Sequence, residues 1–424
     1  MKKFAKLVIT RALNKKVTKL LESKDIKVIT VTGSIGKSSA KVAIGQLLSV
    51  KYRVNYSEDS YNTDIGLPLG IFGLKVPARL WDVKAWNEIL RQVDKLSDNY
   101  PYEVVVVEVA DDERAMMEPI VRKLRPQLGV LTGVAPVHMA RMRDMTKITR
   151  DSWVLANLAD KVIYNADFDE LRLEANKSST ALGYGIGHGA VQFEHIKRSQ
   201  DGYLKAELCA GGQKKVIVTR HIAEVGLYNL LAAASVGLEL GMNFAEIARE
   251  LSNIGPLIGR VNLLAGVKGA RLIDDSYNSS PRAAIAALGI LSQFKGRKIA
   301  ILGSMNELGD YSVEAHTQVG EKAGQVADLL VVVGQEAERY LLPAATHAGL
   351  DKGKVKYFRT PYVAGHYVKK IIEPGDVVLI KGSQDKVYTE EATRILLDEK
   401  LDPRACLVRQ SVSWKRKKKR AFAL

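Results

Sequence analysis

Two kinds of hydrophobic pattern alternate along most of the chain. Short runs of β-branched and other apolar residues predict strands, and between these runs apolar residues recur at helical spacing. Such alternation is typical of α/β domains with parallel-rich sheets. The predicted strands form two series, at residues 26–32, 104–108, 128–132 and 161–164, and then at residues 271–274, 298–302, 329–333 and 376–380.

The region between the two series has a different pattern. From about residue 180 to residue 219, short alternating segments are broken by Gly and Asp, which predicts a small antiparallel extension at the edge of the first domain. Helices are predicted at residues 227–240 and 244–251. The stretch 253–259, Asn-Ile-Gly-Pro-Leu-Ile-Gly, is typical of a linker.

The sequence therefore predicts a first domain at residues 25–256 and a second at residues 257–410, flanked by segments 1–24 and 411–424. The 424 residues, 46% of them hydrophobic, are enough for two domains that each have a hydrophobic core.

No apolar run approaches the ~20 residues of a transmembrane helix. The two cysteines lie far apart, without metal-ligand spacing, and no secretory signal is visible. We therefore expect the protein in a reducing cytoplasm.

The net charge of +16 is concentrated at the two ends of the chain. Residues 1–24 carry eight Lys or Arg and one acid, and residues 411–424 carry six and no acid. The body between them is close to neutral by comparison, so it is not a general binder of polyanions, and we expect no nucleic-acid partner.

The first segment predicts a basic amphipathic helix, because apolar residues from Phe4 to Leu21 recur at helical spacing among lysines. Two interpretations stay open for it. The helix docks on the neighbouring domain, or it lies on an anionic membrane surface at the inner face of the membrane. The tail, with the run Trp414-Lys-Arg-Lys-Lys-Lys-Arg420, is expected to be disordered and available to reinforce such a membrane contact.

A phosphate-binding motif follows the first strand. The strand runs into Gly33-Ser-Ile-Gly36-Lys37-Ser38, where glycines let backbone N–H groups turn towards a phosphate, at the N-terminus of a helix. Lys37 is expected to reach the terminal phosphates, and Ser38 to place its hydroxyl on Mg²⁺. The first glycine of the common P-loop spacing would fall at Val31. The motif predicts that the chain binds a nucleoside triphosphate through Thr32, Gly33, Ser34, Gly36, Lys37, Ser38 and Ser39.

A second motif opens the second series of strands. Asp274 and Asp275 stand at the end of a predicted strand, followed by Ser-Tyr-Asn278-Ser-Ser and then Pro281, which favours a helix start. Acids at a strand end before a polar turn fit a nucleotide-contact loop, and they also fit a simple capping turn.

The two motifs together resemble those of the Mur ligases, the ATP-dependent amide-forming enzymes of peptidoglycan precursor synthesis. The resemblance covers roughly residues 25–400. It extends to the loop at Tyr61–Pro68, the His in Thr-Gly-Val-Ala-Pro-Val-His138, the pair Gly259-Arg260, and the stretches at 302–309 and 381–383. It implies a P-loop central ATPase domain with a parallel-rich sheet, and a Rossmann-like C-terminal domain.

The resemblance also implies site roles. Lys37, Glu108 and His138 would be catalytic, and ATP would bind with two Mg²⁺ ions held by Ser38, Glu108 and His138. Further ATP contacts are implied for Asn229, Arg260, Asp275 and Asn278, and substrate contacts for Asn62, Thr63, Lys381 and Ser383.

Among Mur ligases, Asp-Asp-Ser-Tyr-Asn-x-x-Pro followed by Met-x-Glu-Leu-Gly most resembles the branch that adds D-alanyl-D-alanine to a muramoyl peptide. Small-molecule substrates and a monomer are therefore expected. Two alternatives stay open. One is a ligase that acts on a membrane-linked or folyl-type acceptor, and the other is a catalytically weak nucleotide-binding scaffold of wall synthesis.

The sequence departs from the family pattern in two places. Only the basic segment precedes the first strand, where the family has an N-terminal UDP-binding domain, so the family's mode of UDP recognition does not carry over. The family also has a carbamylated lysine about fourteen residues after the histidine, a position that Ser152 occupies here. Lys147 lies five residues out of register. Either the second metal is held differently, with Asp151 as a candidate, or catalysis is weak.

Overall fold

The structure, a computed structural model, describes residues 2–57, 61–77, 79, 82–111, 114–135 and 145–422, with side chains of the first helix from Lys6 onward. By its internal packing the chain divides into two compact units. The first is built from residues up to 255, and the second from residue 256 onward together with residues 221–223. No described helix combines the length and the apolar character needed to cross a membrane.

The first unit interleaves strands and helices as the hydrophobic pattern predicts. Its elements are α1 Lys2–Ser23, β1 Lys27–Thr32, α2 Lys37–Leu48, β2 Val54–Tyr56, α3 Gly66–Ile71, α4 Val83–Asp98, β3 Val104–Glu108, α5 Arg114–Leu124, β4 Leu128–Leu131, α6 Met145–Ala156, β5 Lys161–Asn165, α7 Asp169–Ala175, β6 Ala181–Gly185, β7 Val191–Arg198, β8 Leu204–Ala210, β9 Gln213–Val218, α8 Glu224–Glu239 and α9 Phe244–Leu251.

The strands of this unit form one sheet in the order β2-β3-β1-β4-β5-β6-β7-β8-β9. The strands from β2 to β7 pair in parallel, and β7, β8 and β9 pair antiparallel, as predicted for this edge. β1 lies between β3 and β4, with Val31 beside Glu108 and Thr32 beside Leu131. The carboxyl ends of these three strands therefore meet where the order of connections reverses, which is the usual ligand position in such sheets.

Apolar side chains of β1 point alternately to two cores. Ile29 and Val31 pack with α2 and α8, whereas Val28 faces a second core on the other side of the sheet. Leu13, Val17 and Leu20 of α1 belong to this second core and are almost fully buried. The docking interpretation of the first helix is therefore confirmed. Full burial of each of these side chains contributes about 1.5–3 kcal/mol of stability.

The second unit repeats the alternation around a smaller sheet. Its elements are β10 Asn262–Ala265, β11 Arg271–Asp275, α10 Pro281–Ser292, β12 Lys298–Gly303, α11 Ser312–Val326, β13 Leu329–Val333, α12 Leu342–His347, β14 Val355–Phe358, α13 Pro361–Ile371, β15 Val377–Lys381, α14 Glu390–Leu396, α15 Pro403–Cys406 and α16 Val412–Phe422. The sheet order is β10-β11-β15-β12-β13-β14, with β10 antiparallel to β11 and the other pairs parallel.

The expectation of a disordered tail was wrong. Residues 412–422 form α16, and its Lys418 is completely buried against Glu390 and Glu391 of α14. Trp414 and Phe422 lie edge-on to the ring of Tyr388. The cationic run is ordered because acids and an aromatic ring from earlier in the chain receive one face of the helix.

Candidate active site

The phosphate loop (residues 33–36) joins β1 to α2 and needs its two glycines. Gly33 and Gly36 adopt φ values of 123° and 82°, a region that residues with a side chain rarely occupy. A Cβ atom at Gly33 would lie 2.6 Å from Thr132 Oγ1 and 2.8 Å from the carbonyl oxygen of Gly133. The loop therefore forms a narrow cradle that suits a phosphate group at the N-terminus of α2.

Residues after β4 support this loop from the side. The Ser34 N–H donates to the Gly133 carbonyl oxygen at 2.8 Å, and Thr132 Oγ1 lies 2.6 Å from the Ile35 carbonyl oxygen. Thr32, the last residue of β1, has a buried hydroxyl without a hydrogen-bond partner among the described residues. Since a buried hydroxyl is normally paired, Thr32 is a candidate contact for a ligand in the cradle.

Ser38 and Glu108 come together beside the cradle. The Ser38 hydroxyl donates to Glu108 Oε2 at 2.8 Å, and Asn62 Nδ2 donates to Glu108 Oε1 at 3.2 Å. Lys41 Nζ lies 3.5 Å from Glu108 Oε2, and both side chains are buried. A hydroxyl and a carboxylate are the hard oxygen ligands that Mg²⁺ takes next to phosphates, so these residues fit a magnesium site. The third predicted ligand, His138, lies outside the described residues.

Lys37 is paired with Asp111, an acid that the sequence did not single out. Lys37 Nζ contacts the Gly33 carbonyl oxygen and lies 3.0 Å from Asp111 Oδ1. Burial acts to raise the pKa of Asp111. The positive charge of Lys37 and the hydrogen bonds from Lys37 and Ser152 act in the opposite direction and outweigh burial, so the pKa of Asp111 lies below its ordinary value. The only available signal in the sequence was an acid three residues after Glu108.

The other predicted residues of the first unit lie at different distances from this centre. The side-chain amide of Asn229 lies beside the phosphate loop, since its Oδ1 is 3.7 Å from the position that a Cβ atom of residue 36 would occupy. Thr63 accepts a hydrogen bond from the Gly66 N–H at 3.1 Å, at the start of α3. Ser39 is half-buried in the first turn of α2.

Helix α6 carries the two residues that the sequence offers in place of the carbamylated lysine. Lys147 is exposed, and Asp151 pairs with Arg114 at 2.9 Å.

In the second unit, the loop after β11 is held by Lys381. Its ammonium lies 2.6 Å from Asp275 Oδ2 and donates to the Asn278 carbonyl oxygen at 2.9 Å. Both side chains of the ion pair are buried. The neighbouring Asp274 is fully buried and accepts a hydrogen bond from the Thr393 hydroxyl at 2.8 Å. Burial raises the pKa of Asp274 to about 7.

Two further predicted residues flank this loop. Ser383 is buried, and its hydroxyl accepts a hydrogen bond from the Asn306 N–H at 2.8 Å. The guanidinium of Arg260 lies 4.1 Å from the ring centre of Tyr277, and Arg260 is otherwise exposed. The structure thus brings Asp275, Asn278 and Lys381 together directly, and Arg260 to the same loop through Tyr277.

Comparisons with known proteins agree with this arrangement. The Mur ligase middle domain family matches residues 31–237, and the Mur ligase, glutamate ligase domain family matches residues 259–384. The chain is 25% identical over 403 residues to the UDP-N-acetylmuramoyl-tripeptide–D-alanyl-D-alanine ligase of Bacillus subtilis strain 168, covering 92% of this chain and 80% of the relative. It is 26% identical over 369 residues to the ligase of the same name from Synechocystis, covering 84% and 72%.

Solved structures confirm the predicted fold. The MurF ligase of Thermotoga maritima in complex with ADP superposes with a TM-score of 0.72 at 24% identity, covering 91% of this chain and 84% of that one. The folylpolyglutamate synthase of Mycobacterium tuberculosis, complexed with ADP, gives a TM-score of 0.63 at 15% identity, covering 92% and 94%. With its two family domains spanning most of its length, the chain belongs to the Mur ligase family.

Proposed function

We propose that the protein is an ATP-dependent ligase that joins a carboxylate to an amine, with D-alanyl-D-alanine as the amine and a muramoyl-peptide precursor as the acceptor. The observation that carries the proposal is the arrangement at the end of β1. There Lys37 stands at the mouth of a glycine cradle, and Ser38 contacts the buried Glu108 at 2.8 Å.

The reaction has two steps. An oxygen of the acceptor carboxylate attacks the γ-phosphorus of ATP, the bond to the β,γ-bridging oxygen breaks, and ADP leaves. The amine nitrogen then attacks the acyl carbon, loses a proton and displaces inorganic phosphate, which leaves an amide. The first step brings two anions together, so cationic groups at the phosphates dominate its rate.

Residues of the first unit supply those groups. Lys37 would exchange its contacts with Gly33 and Asp111 for the terminal phosphates, and Asn229 and Thr32 would contact the nucleotide beside the loop. Ser38 and Glu108 would hold Mg²⁺, whose positive charge would offset the charge of the phosphates. The resemblance supports a further metal ligand at His138. Asn62, whose amide donates to Glu108, would contact the acceptor substrate and so link it to the carboxylate that would bind the metal.

The proposal for the second unit rests on the resemblance and on local geometry. We assign ATP contacts to Arg260, Asp275 and Asn278. Lys381, buried against Asp275 at 2.6 Å, would fix the conformation of this loop, and Ser383 would position the amino compound next to it. Measuring the nucleotide affinity of Arg260→Ala tests this assignment, and we expect that affinity to be lower than in the unmodified protein.

The choice of substrates rests on the relatives. Those reported above carry the name of the ligase that joins D-alanyl-D-alanine to the UDP-muramoyl tripeptide. A folyl-type acceptor is the alternative that the fold of the folylpolyglutamate synthase also accommodates. We also propose that the protein is a cytoplasmic monomer. Both cysteines are free thiols, which fits a reducing compartment.

The test is release of inorganic phosphate by the purified full chain with ATP, Mg²⁺, UDP-muramoyl tripeptide and D-alanyl-D-alanine. We expect phosphate release only when acceptor and amine are both present, together with a product whose mass is increased by the dipeptide. Release with a folyl acceptor and glutamate, but not with the muramoyl substrate, would favour the alternative ligase. Nucleotide binding without any ligation would favour a scaffold.

We also propose a weak contact of α16 with anionic membranes. Lys415, Arg416, Lys419 and Arg420 are exposed on a helix that carries no acid. Each exposed cation near a membrane contributes about 1 kcal/mol, and the contact weakens with salt. Co-sedimentation with phosphatidylserine vesicles at low salt, lost in Lys415→Glu/Lys419→Glu, tests this. Absence of binding by the unmodified protein contradicts it.

A further inference from the structure

A buried arginine, Arg409, holds the loop that follows β11 (residues 276–280). Its guanidinium donates to the carbonyl oxygen of Ser276 at 2.6 Å and to that of Tyr277 at 2.9 Å. The same group forms a bidentate ion pair with Glu390 of α14, in which both N–O distances are 2.8 Å. Only 7% of the Arg409 side chain is exposed, and none of the Glu390 side chain is. The planar guanidinium thus ties the loop to α14.

The main chain of Arg409 is fixed as well. Its φ of 55° lies in the left-handed region, which a residue with a side chain rarely adopts. Its carbonyl oxygen accepts from Lys418 Nζ at 2.9 Å, and this ammonium also lies 2.7 Å from Glu390. A conformation of this kind persists only where the surroundings hold it, and such residues cluster at functional sites.

Three consecutive carbonyl oxygens of the loop are bound by buried cations. Arg409 binds those of Ser276 and Tyr277, and Lys381 of β15 binds that of Asn278 at 2.9 Å. Lys381 approaches from the sheet, whereas Arg409 approaches from the segment that precedes α16. The loop main chain is therefore set from two sides within the second unit.

The side chains of this loop and of the turn beside it are those assigned to ATP. The Tyr277 N–H donates to the Gly259 carbonyl oxygen at 3.0 Å, and the Tyr277 ring lies 4.1 Å from the guanidinium of Arg260. Under the proposed function, on which this inference rests, Arg260 and Asn278 contact the nucleotide. A loop that is ordered before binding loses less conformational entropy when the ligand arrives.

We propose that Arg409 is a positioning residue for nucleotide binding by the second unit. It fixes the main chain at Ser276 and Tyr277, and thereby sets Asn278 directly and Arg260 through the Tyr277 ring. Arg409 lies beyond residue 384, where the match to the family's C-terminal domain ends. The segment that leads into the basic tail therefore supports the site that the matched domain carries.

The experiment measures the dissociation constant of the β,γ-imido analogue of ATP with Mg²⁺, by calorimetry on the full chain. Arg409→Lys keeps a charge beside Glu390 but cannot span the carboxylate and both carbonyl oxygens. We expect its dissociation constant to rise about tenfold. Arg404→Lys, at an exposed position of α15, is the matched control and should bind as the wild type does. Urea unfolding establishes that each variant is folded.

Two further readouts separate positioning from a purely structural role. In ligation, Arg409→Lys should raise the KM for ATP about tenfold and change kcat much less, whereas a loss of folded protein would lower kcat and leave KM unchanged. In a chain that already carries Arg260→Ala and Asn278→Ala, Arg409→Lys should raise the dissociation constant less than about threefold, because the side chains through which Arg409 acts are absent.

Glu390→Gln is the second variant, since it leaves Arg409 in place but removes the charge that orients it. We expect a smaller rise of the dissociation constant, and this variant decides the matter if Arg409→Lys does not fold. Wild-type affinity in the folded variants, or a tenfold loss that persists without Arg260 and Asn278, would overturn the inference and leave Arg409 as a structural ion pair. A wild-type chain that binds no analogue would contradict the proposed function itself, and this inference with it.

Discussion

Lys418 of α16 places its ammonium 2.7 Å from Glu390 of α14, and neither side chain is exposed to solvent. The same ammonium lies 2.7 Å from Glu391 and donates to the carbonyl oxygen of Arg409 at 2.9 Å. Arg409 in turn pairs with Glu390 and donates to the carbonyl oxygen of Ser276 at 2.6 Å. The basic tail is therefore connected, through buried charges, to the loop that follows Asp275 at the end of β11.

Replacing Lys418 should destabilise the second unit. Lys418→Met keeps the length of the side chain but leaves two buried carboxylates short of a cation, and removing one partner of a buried pair costs about 3–5 kcal/mol. The midpoint of urea unfolding, followed by circular dichroism, should fall accordingly. Lys419→Met, at an exposed position of the same helix, is the control and should change little. Equal stability of both variants would show that the buried ion pairs do not hold the helix.

Removal of the Lys37 charge should abolish ligation. Lys37→Ala leaves the γ-phosphate without its lysine in a site that excludes water, and a loss of at least ~10²-fold in kcat is expected. The folded state should be little affected, because among the described residues the Lys37 ammonium contacts the Gly33 carbonyl oxygen and Asp111 rather than the core. Lys84→Ala, on an exposed face of α4, serves as control. Near-full turnover by Lys37→Ala would contradict the assignment of the phosphate loop.

Glu108→Gln should weaken the response to Mg²⁺. The amide keeps the shape of the side chain and its contact with Ser38, but it lacks the charge that attracts the ion. We expect the Mg²⁺ concentration for half-maximal activity to rise about tenfold or more, with partial recovery at high Mg²⁺. An unchanged Mg²⁺ profile with reduced kcat would instead place Glu108 outside the metal site.

Bicarbonate should have no effect on ligation by this chain. Ser152 cannot form a carbamate, and the nearest lysine on its helix, Lys147, is exposed. Activity in buffer freed of carbon dioxide should therefore equal activity after bicarbonate is added back. A bicarbonate-dependent rise that disappears in Lys147→Ala would show that Lys147 has taken over the role of the carbamylated lysine.

The central strands were predictable because they are buried on both faces. The bounds of β3 and β13 match the prediction, and those of β1, β4 and β12 differ by one residue. The strands that were not predicted, β2, β10 and β14, have three or four residues and stand at sheet edges. An edge strand has one partner strand, so its formation depends on tertiary contacts more than on its own sequence pattern.

The site was predictable where function depends on neighbours in sequence. The glycine cradle, Lys37 and Ser38 follow from one short motif, whereas Glu108 was named through the family resemblance, at the end of a strand. Asp111 was missed because its significance comes from Ser152, 41 residues further along, and from Lys37, 74 residues earlier. The tail was misjudged for the same reason, since the acids that order Lys418 lie in another helix.

Asp274 should make the second unit less stable as the pH rises from about 4 to about 7. Burial raises its pKa from 3.8 to about 7, against the hydrogen bond from the Thr393 hydroxyl. Because the folded state holds a proton that the unfolded chain releases, this stability is complete below about pH 4 and is lost through pH 7. The slope is about 1.4 kcal/mol per pH unit, or about 4 kcal/mol across the window.

Asp274→Asn tests this directly, since the amide has the shape of the protonated acid and can still accept from Thr393. Urea unfolding of wild type and variant is measured at pH 5 and pH 8. The stability of the variant relative to wild type should increase between these values, because only the wild type must bury a charge at the higher pH. Glu399→Gln, an exposed position of the same unit, should show no such change. A wild type whose stability parallels that of Asp274→Asn at both pH values would mean that Asp274 is ionised in the folded protein throughout, with its charge compensated by neighbouring groups.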